Sequence, residues 1–168
     1  MIRFALNKNG PIALDIGSNS IKMLQFTQGN GNIRLAAADK VQCKFDMGDD
    51  PQKSKEFIVD SIKEMLRRGA FNGTKVVSCL PNSSIKIKSI RLDPTESENI
   101  EGLLKDELAE RFEFDPAKDE VRYITAGKVY HGSEMKNEVI FFATDRTTIE
   151  NHIAIIEEAG LTPEAIDS

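Results

Sequence analysis

Within IALDIGSNSIKMLQF, from Ile12 to Phe26, an apolar run stops at Asp15 and turns through Gly17, Ser18, Asn19 and Ser20. It resumes with Lys22 inside it. Those residue types suit a polyphosphate carrying a metal ion. Gly17 has no Cβ, so the backbone can approach a ligand closely. Successive amides of Gly17, Ser18, Asn19 and Ser20 can point into one concavity, and the hydroxyls of Ser18 and Ser20 add donors. Lys22 brings a point charge suited to a phosphate oxygen. Asp15 would repel phosphate directly, but it can hold the water shell of a magnesium ion that bridges phosphates. The same residues also suit an ordinary tight turn, in which Asp15 and Ser18 satisfy local amides and Lys22 points to solvent. Spacing alone leaves both readings open. It excludes a Walker loop, because Gly-x-x-x-x-Gly-Lys-Ser/Thr is absent, and a dinucleotide fingerprint, which would lead into a helix.

The elements around this turn follow from hydrophobic period. Residues 12–16 form a buried strand, and 20–28 alternate as a half-buried strand does. Asn30-Gly31 is a strong two-residue hairpin signal, which makes 33–41 the returning strand. A helix is expected from about Gln52 to Arg68, with Phe57, Ile58, Ile62, Met65 and Leu66 on one face. Arg67, Arg68 and Gly69 supply its cationic end and its stop. Residues 75–80 are a short β-branched strand able to join in parallel, so the opening is an α/β layer.

From Ile85 the texture changes. IKIKSIRL is a strand, and Thr95 with Glu98 fits a capping box for a helix striped by Ile100, Leu103, Leu104, Leu108 and Phe112. Residues 121–130 and 137–144 are expected to form a hairpin across HGSEMK. A last helix starts near Thr147, with Glu150 completing a second capping box, and stops at Gly160. PEAIDS has the character of a strand beginning. The resulting division is residues 1–84 as a first subdomain, 85–162 as an inserted β-α-β-β-α unit, and 163–168 as a strand returning to the first.

Composition narrows the function classes. The 168 residues carry a formal net charge of −5, with 40% hydrophobic and 29% charged residues. That is a globular composition long enough for one substantial core or two small ones. The acidic balance argues against nucleic acid, which wants a basic footprint. No apolar run approaches the roughly 20 residues of a membrane-spanning helix, and the alternation of Ile2, Phe4 and Leu6 fits a first strand. Cys43 and Cys79 have neither metal nor redox spacing, and His131 and His152 are isolated; free thiols in a reducing cytoplasm fit best. The acidic helix face (Glu96, Glu98, Glu101, Asp106, Glu107, Glu110) is expected to be a solvated surface. Phe112, Phe114, Phe141 and Phe142 are expected in the core.

The segment ALDIGSNSIKMLQF resembles the first phosphate motif of the actin-like ATPase superfamily. Leu14, Asp15, Ile16, Gly17 and Ser18, followed by small polar Asn19 and Ser20 and then Ile21 and Lys22, resemble in particular the PilM family of type IV pilus assembly proteins, relatives of the division protein FtsA. The likeness continues through VVSCLPNSSIKIKSIRLDP, LLKDELAERFEFDP and FFATDRTTIENHIAIIEEAGLTPEAIDS. It implies an α/β, actin-like (ribonuclease H-like) first subdomain with an inserted subdomain, truncated before a second half. It further implies ATP with magnesium as cofactors. Asp15 would lie near the hydrated metal, Gly17, Ser18, Asn19 and Ser20 would line the β- and γ-phosphates, and Lys22 would reach them.

The same resemblance implies a cytoplasmic scaffold at the inner face of the bacterial inner membrane. Its partners would be the cytoplasmic amino-terminal segment of a PilN-like protein and other pilus assembly proteins. The peptide groove would lie between the two subdomains, where Leu80, Pro81 and Ile87 are the residues to test first. A sugar kinase or active ATPase shares the opening loop, but no Asp or Glu is placed by spacing as a general base. An FtsA-like filament protein would share the fold. The second phosphate loop and adenosine-binding glycines of the superfamily are absent from these residues, so little or no ATP binding and no hydrolysis are expected of this chain alone.

Overall fold

The computed structural model describes residues 8–29, 31–43, 50–93, 95–105, 114–115 and 117–167. Its contacts divide the chain into one unit of residues 1–81 with 150–168, and a second of residues 82–149.

In the first unit, β1 (Lys8–Ile16), β2 (Ser20–Gly29) and β3 (Asn32–Gln42) form the expected antiparallel meander. Gly31 has φ +78° in the turn between β2 and β3, a conformation that favours glycine; Asn30 lies outside the described residues. Two parallel strands, β4 (Lys75–Cys79) and β8 (Thr162–Asp167), complete the order β3-β2-β1-β4-β8. β1 is thus bonded on both edges, and Pro11, which has no amide to donate, sits at the bulge between Asn9 and Ile12.

The helix α1 (Pro51–Arg68) buries Ser54, Ile58, Val59, Ser61, Ile62 and Met65, a stripe at helical spacing. Asp50 caps it by accepting from the Lys53 amide at 3.2 Å. At the other end the Arg68 guanidinium grips the Asp39 carboxylate of β3 through two bonds of 2.6 and 2.8 Å, which hold that carboxyl below its usual range. The stripe packs on Ile12, Leu14, Ile16, Ile21, Met23 and Val76 of the sheet, together with Ile156, Ala159 and Leu161.

Those last three correct the expected division. From residue 150 onward the final helix, α3 (Arg146–Glu158), and the turn after it belong to the first unit, and Ile156, Ala159 and Leu161 lie in its core. Its start also differs: the Asp145 carboxylate, not Thr147, accepts from the Thr147 amide at 2.7 Å. Gly160, φ +84°, ends it, as expected.

The second unit is an antiparallel sheet of order β5-β7-β6, made of β5 (Lys86–Leu92), β6 (Asp119–His131) and β7 (Glu134–Asp145), with α2 (Ile100–Lys105). The strands run closer to the hairpin tip than expected, because Gly132 at φ +65° closes it tightly. Ile90, Leu92, Ile100, Phe114, Val139, Phe141 and Ala143 form its core. Phe142 is half-buried on the other face, and Phe112 lies outside the described residues. Thr95 is already helical, at φ −69° and ψ −37°, so it does not cap; the Glu96 carboxylate instead accepts from the Asp93 amide at 2.9 Å.

Two buried polar groups fasten the first unit. Gln25, 1% exposed, donates to the Gly10 and Asn72 carbonyls at 2.9 and 2.7 Å and accepts from the Asn72 amide at 2.8 Å. It therefore ties the loop after α1 to the β1 bulge. His152, 6% exposed, lies 2.8 Å from Ser78 Oγ, which gives its own proton to the Leu14 carbonyl at 2.9 Å. One hydroxyl has one proton, so the imidazole must donate from Nε2. This histidine joins α3 to β4.

Gln25→Met keeps the volume but leaves three backbone groups without partners, so chemical denaturation should show a loss of about 2–4 kcal/mol. Burial pushes the His152 pKa below 6.5, so the unfolded chain takes up a proton that the folded chain resists. Stability contributed by the neutral ring is full above pH 6.5 and falls as the pH drops below it, by at most about 1.4 kcal/mol per pH unit. Melting temperatures between pH 7.5 and 5.5 should show that slope, and His152→Gln should flatten it.

Candidate functional site

Antiparallel pairing sets Asp15 directly opposite Lys22. Residues opposite each other in adjacent strands share a face, and the Lys22 ammonium meets the Asp15 carboxylate at 2.8 Å, with both side chains about half exposed. The lysine therefore reaches back over the turn instead of into open solvent. Lys40 of β3 is opposite Lys22, which adds a second cation to the row.

The turn itself departs from the expected cradle in two places. The Gly17 amide donates to the Ser20 carbonyl at 3.1 Å, so it closes the turn and does not face a ligand. Ser20 is buried, so its hydroxyl is not presented to solvent. Ser18 and Asn19 are exposed at the apex, and neither amide is engaged by a backbone bond among the described residues. The Asn19 carbonyl accepts from the Cys43 amide at 2.9 Å, fixing the turn to the end of β3. Gly17 has a structural reason as well: a Cβ there would stand 3.1 Å from the Ser20 carbonyl oxygen. The donors left at the apex are the Ser18 and Asn19 amides, with the Lys22 ammonium, held by the Asp15 carboxylate, beside them. No group of three or more metal-ligating side chains occurs among the described residues.

The three residues expected to meet a peptide partner differ in kind. Leu80 is 6% exposed and its amide donates to the Asp167 carbonyl at 3.0 Å, so it belongs to the first unit's packing. Pro81 is exposed in the same unit. Ile87, in the second unit, is 58% exposed on β5.

Sequence reasoning passed over a cleft of about 490 Å³ at the opposite end of β1. The β1 bulge, Phe26, Ile33, Asn72 and the Lys75–Glu164 ion pair line it. The Gly10-Pro11 pair inside a strand was the signal available. No helix among the described residues is long and apolar enough to cross a membrane.

Comparisons with known proteins place the fold. Residues 13–168 match the family described as type IV pilus assembly protein PilM. Among solved structures, a chain of a PilM–PilN type IV pilus biogenesis complex is similar at 20% identity and a TM-score of 0.72. The match covers 94% of this chain and 46% of that one. The cytoplasmic domain of EpsL, an inner-membrane component of the type II secretion system of Vibrio cholerae, is similar at 15% identity and a TM-score of 0.55. Here 95% of this chain and 57% of that one are covered. The chain thus spans about half the length of the structures it matches. No protein of curated function matches it. The architecture is the α/β, actin-like one expected from the opening motif.

Because the Asp15–Lys22 pair is exposed, Lys22→Gln should change the unfolding free energy by less than about 1 kcal/mol. Leu80→Glu places a charge in packed surroundings and should cost about 3 kcal/mol or more, whereas Ile87→Glu should stay within about 0.5 kcal/mol. Urea denaturation of the three variants checks all of this.

Proposed function

Because the chain belongs to the PilM family of type IV pilus assembly proteins, we propose that it serves as a scaffold holding the cytoplasmic amino-terminal segment of a PilN-like inner-membrane protein. The observation that carries this reading is the family match, together with the likeness to a chain solved in a PilM–PilN complex. A scaffold of this kind works in the cytoplasm against the inner face of the membrane and meets other pilus assembly proteins there. Ile87, exposed on an edge strand, is a suitable contact for an apolar side chain of the partner segment. A synthetic peptide of the partner's first residues should be retained by the chain and lost with Ile87→Glu. Retention indifferent to that change would move the contact elsewhere; no retention at all would remove the partner.

We also propose that the turn from Asp15 to Lys22 forms one side of an ATP–magnesium site. The support is the pairing of a carboxylate and an ammonium beside two open amides at an exposed apex. ATP with magnesium would bring the phosphate charge that Lys22 and the Ser18 and Asn19 amides receive, while Asp15 holds the metal's water. One side of a site binds weakly, so a dissociation constant in about the millimolar range is expected. Amide resonances from Gly17 to Lys22 should move under saturating Mg-ATP, and those of α1 should not. Unmoved resonances would remove the nucleotide reading, and a micromolar constant would show a more complete site than proposed.

A further inference from the structure

The cleft at the far end of β1 is lined by two of the chain's three Asn-Gly pairs, Asn9-Gly10 and Asn72-Gly73. In such a pair the glycine amide can close on the preceding carboxamide, because no Cβ obstructs its approach. The two pairs are chemically alike in the sequence, and the fold separates them.

Ring closure needs the asparagine Cβ and the next amide nitrogen on one side of the Cα–C bond. An extended residue, with ψ of about +135°, holds them apart. Asn9 is placed in this way: it lies in β1 opposite Thr27, and the Gln25 carboxamide holds the carbonyl of Gly10. A Cβ at Gly10 would stand 3.5 Å from the Phe26 carbonyl oxygen, so one side of that glycine is walled. Closing a ring at Asn9 would peel the first residues of β1 from β2.

Asn72 is exposed and lies outside every helix and strand. Gly73 follows at φ +83°, and nothing would stand within 4 Å of a Cβ there. Neither the Gly73 amide nor the Asn72 carboxamide makes a hydrogen bond within the described residues. Gln25 holds Asn72 only by its own amide and carbonyl. Closure at Asn72 costs the bond to that carbonyl and leaves the sheet intact.

We propose that Asn72-Gly73 is a spontaneous modification site of the folded chain, and that its modification undoes the tie from Gln25. The Gly73 nitrogen gives up its proton and bonds to Asn72 Cγ, whose own C–N bond breaks to release ammonia with that proton. Water then adds across one C–N bond of the cyclic imide and returns a proton to the Gly73 nitrogen. Opening at Cγ leaves aspartate on an unaltered main chain. Opening at the other carbonyl leaves isoaspartate, in which the main chain passes through Cβ and Cγ. The carbonyl that Gln25 holds then becomes a carboxylate on a side branch. Water is the only co-reactant. Neither the apex amides nor Ile87 takes part, so the nucleotide and peptide readings stand or fall separately.

The folded chain, kept in mildly alkaline buffer, is digested with trypsin and followed by mass spectrometry, which reads residues 69–75 apart from residues 9–22. Peeling β1 gives up more hydrogen bonds than freeing Asn72, so Asn72 should convert at least about fivefold faster than Asn9. In concentrated urea the two pairs should convert alike. The purified isoaspartyl chain should have an unfolding equilibrium constant about fivefold or more above that of Asn72→Asp, which keeps the main chain. Equal conversion of the two pairs in the folded chain, or faster conversion of Asn9, would overturn the proposal. So would an Asn72 still intact in the folded chain once the urea-treated chain has converted, or an isoaspartyl chain as stable as Asn72→Asp.

Discussion

The antiparallel ladder between β1 and β2 constrains most of the first unit. In such a ladder, opposed residues share a face and successive residues alternate between faces. Ile12, Leu14 and Ile16 therefore point with Ile21, Met23 and Gln25 toward the helices, and Ala13 and Asp15 point with Lys22 and Leu24 away from them. A slip of one residue would bury Asp15 and Lys22 and expose the core. The 2.8 Å ion pair of the candidate site and the packing of the first unit are two consequences of one register.

That register is held from a distance. The Gln25 carboxamide engages backbone on both the β1 bulge and the loop after α1, and Ser78 links Leu14 to His152 on α3. Both are polar groups in an apolar interior, where an unmade bond is costly, so each specifies one arrangement of its neighbours. The turn apex, by contrast, is fixed mainly through backbone: the Gly17 amide to Ser20, and the Cys43 amide to Asn19, with the Cys43 thiol on the Gly17 carbonyl. A fixed apex with two open amides beside a lysine is a simpler device than the fully converging nest that composition suggested.

The two faces of the first unit's sheet differ in burial. Burial of α1 and α3 on one side accounts for the large fully buried side chains, including Ile62, Met65 and Ile156. The opposite side keeps apolar residues at the alternate positions of the same strands. Alternation normally distinguishes a core face from a wet face; here β2 places Leu24 and Phe26 where solvent-facing polar residues would be expected.

The sequence by itself determined the elements whose signals are local. Periodicity located β1 through β4 and α1, Asn30-Gly31 placed the hairpin turn, and the Asp15-to-Lys22 pattern pointed to the family and its fold. It missed where caps fall, since Asp145 and Glu96 compete with Thr147 and Thr95 through bonds of similar local spacing. Tertiary structure alone decided that α3 packs with the first unit, that His152 and Gln25 are buried ties, that Leu80 is packed while Ile87 is exposed, and that the Gly17 amide is turned inward. Each of these depends on how the chain packs around the residue, and contacts between distant positions leave no period in the sequence from which they could be read.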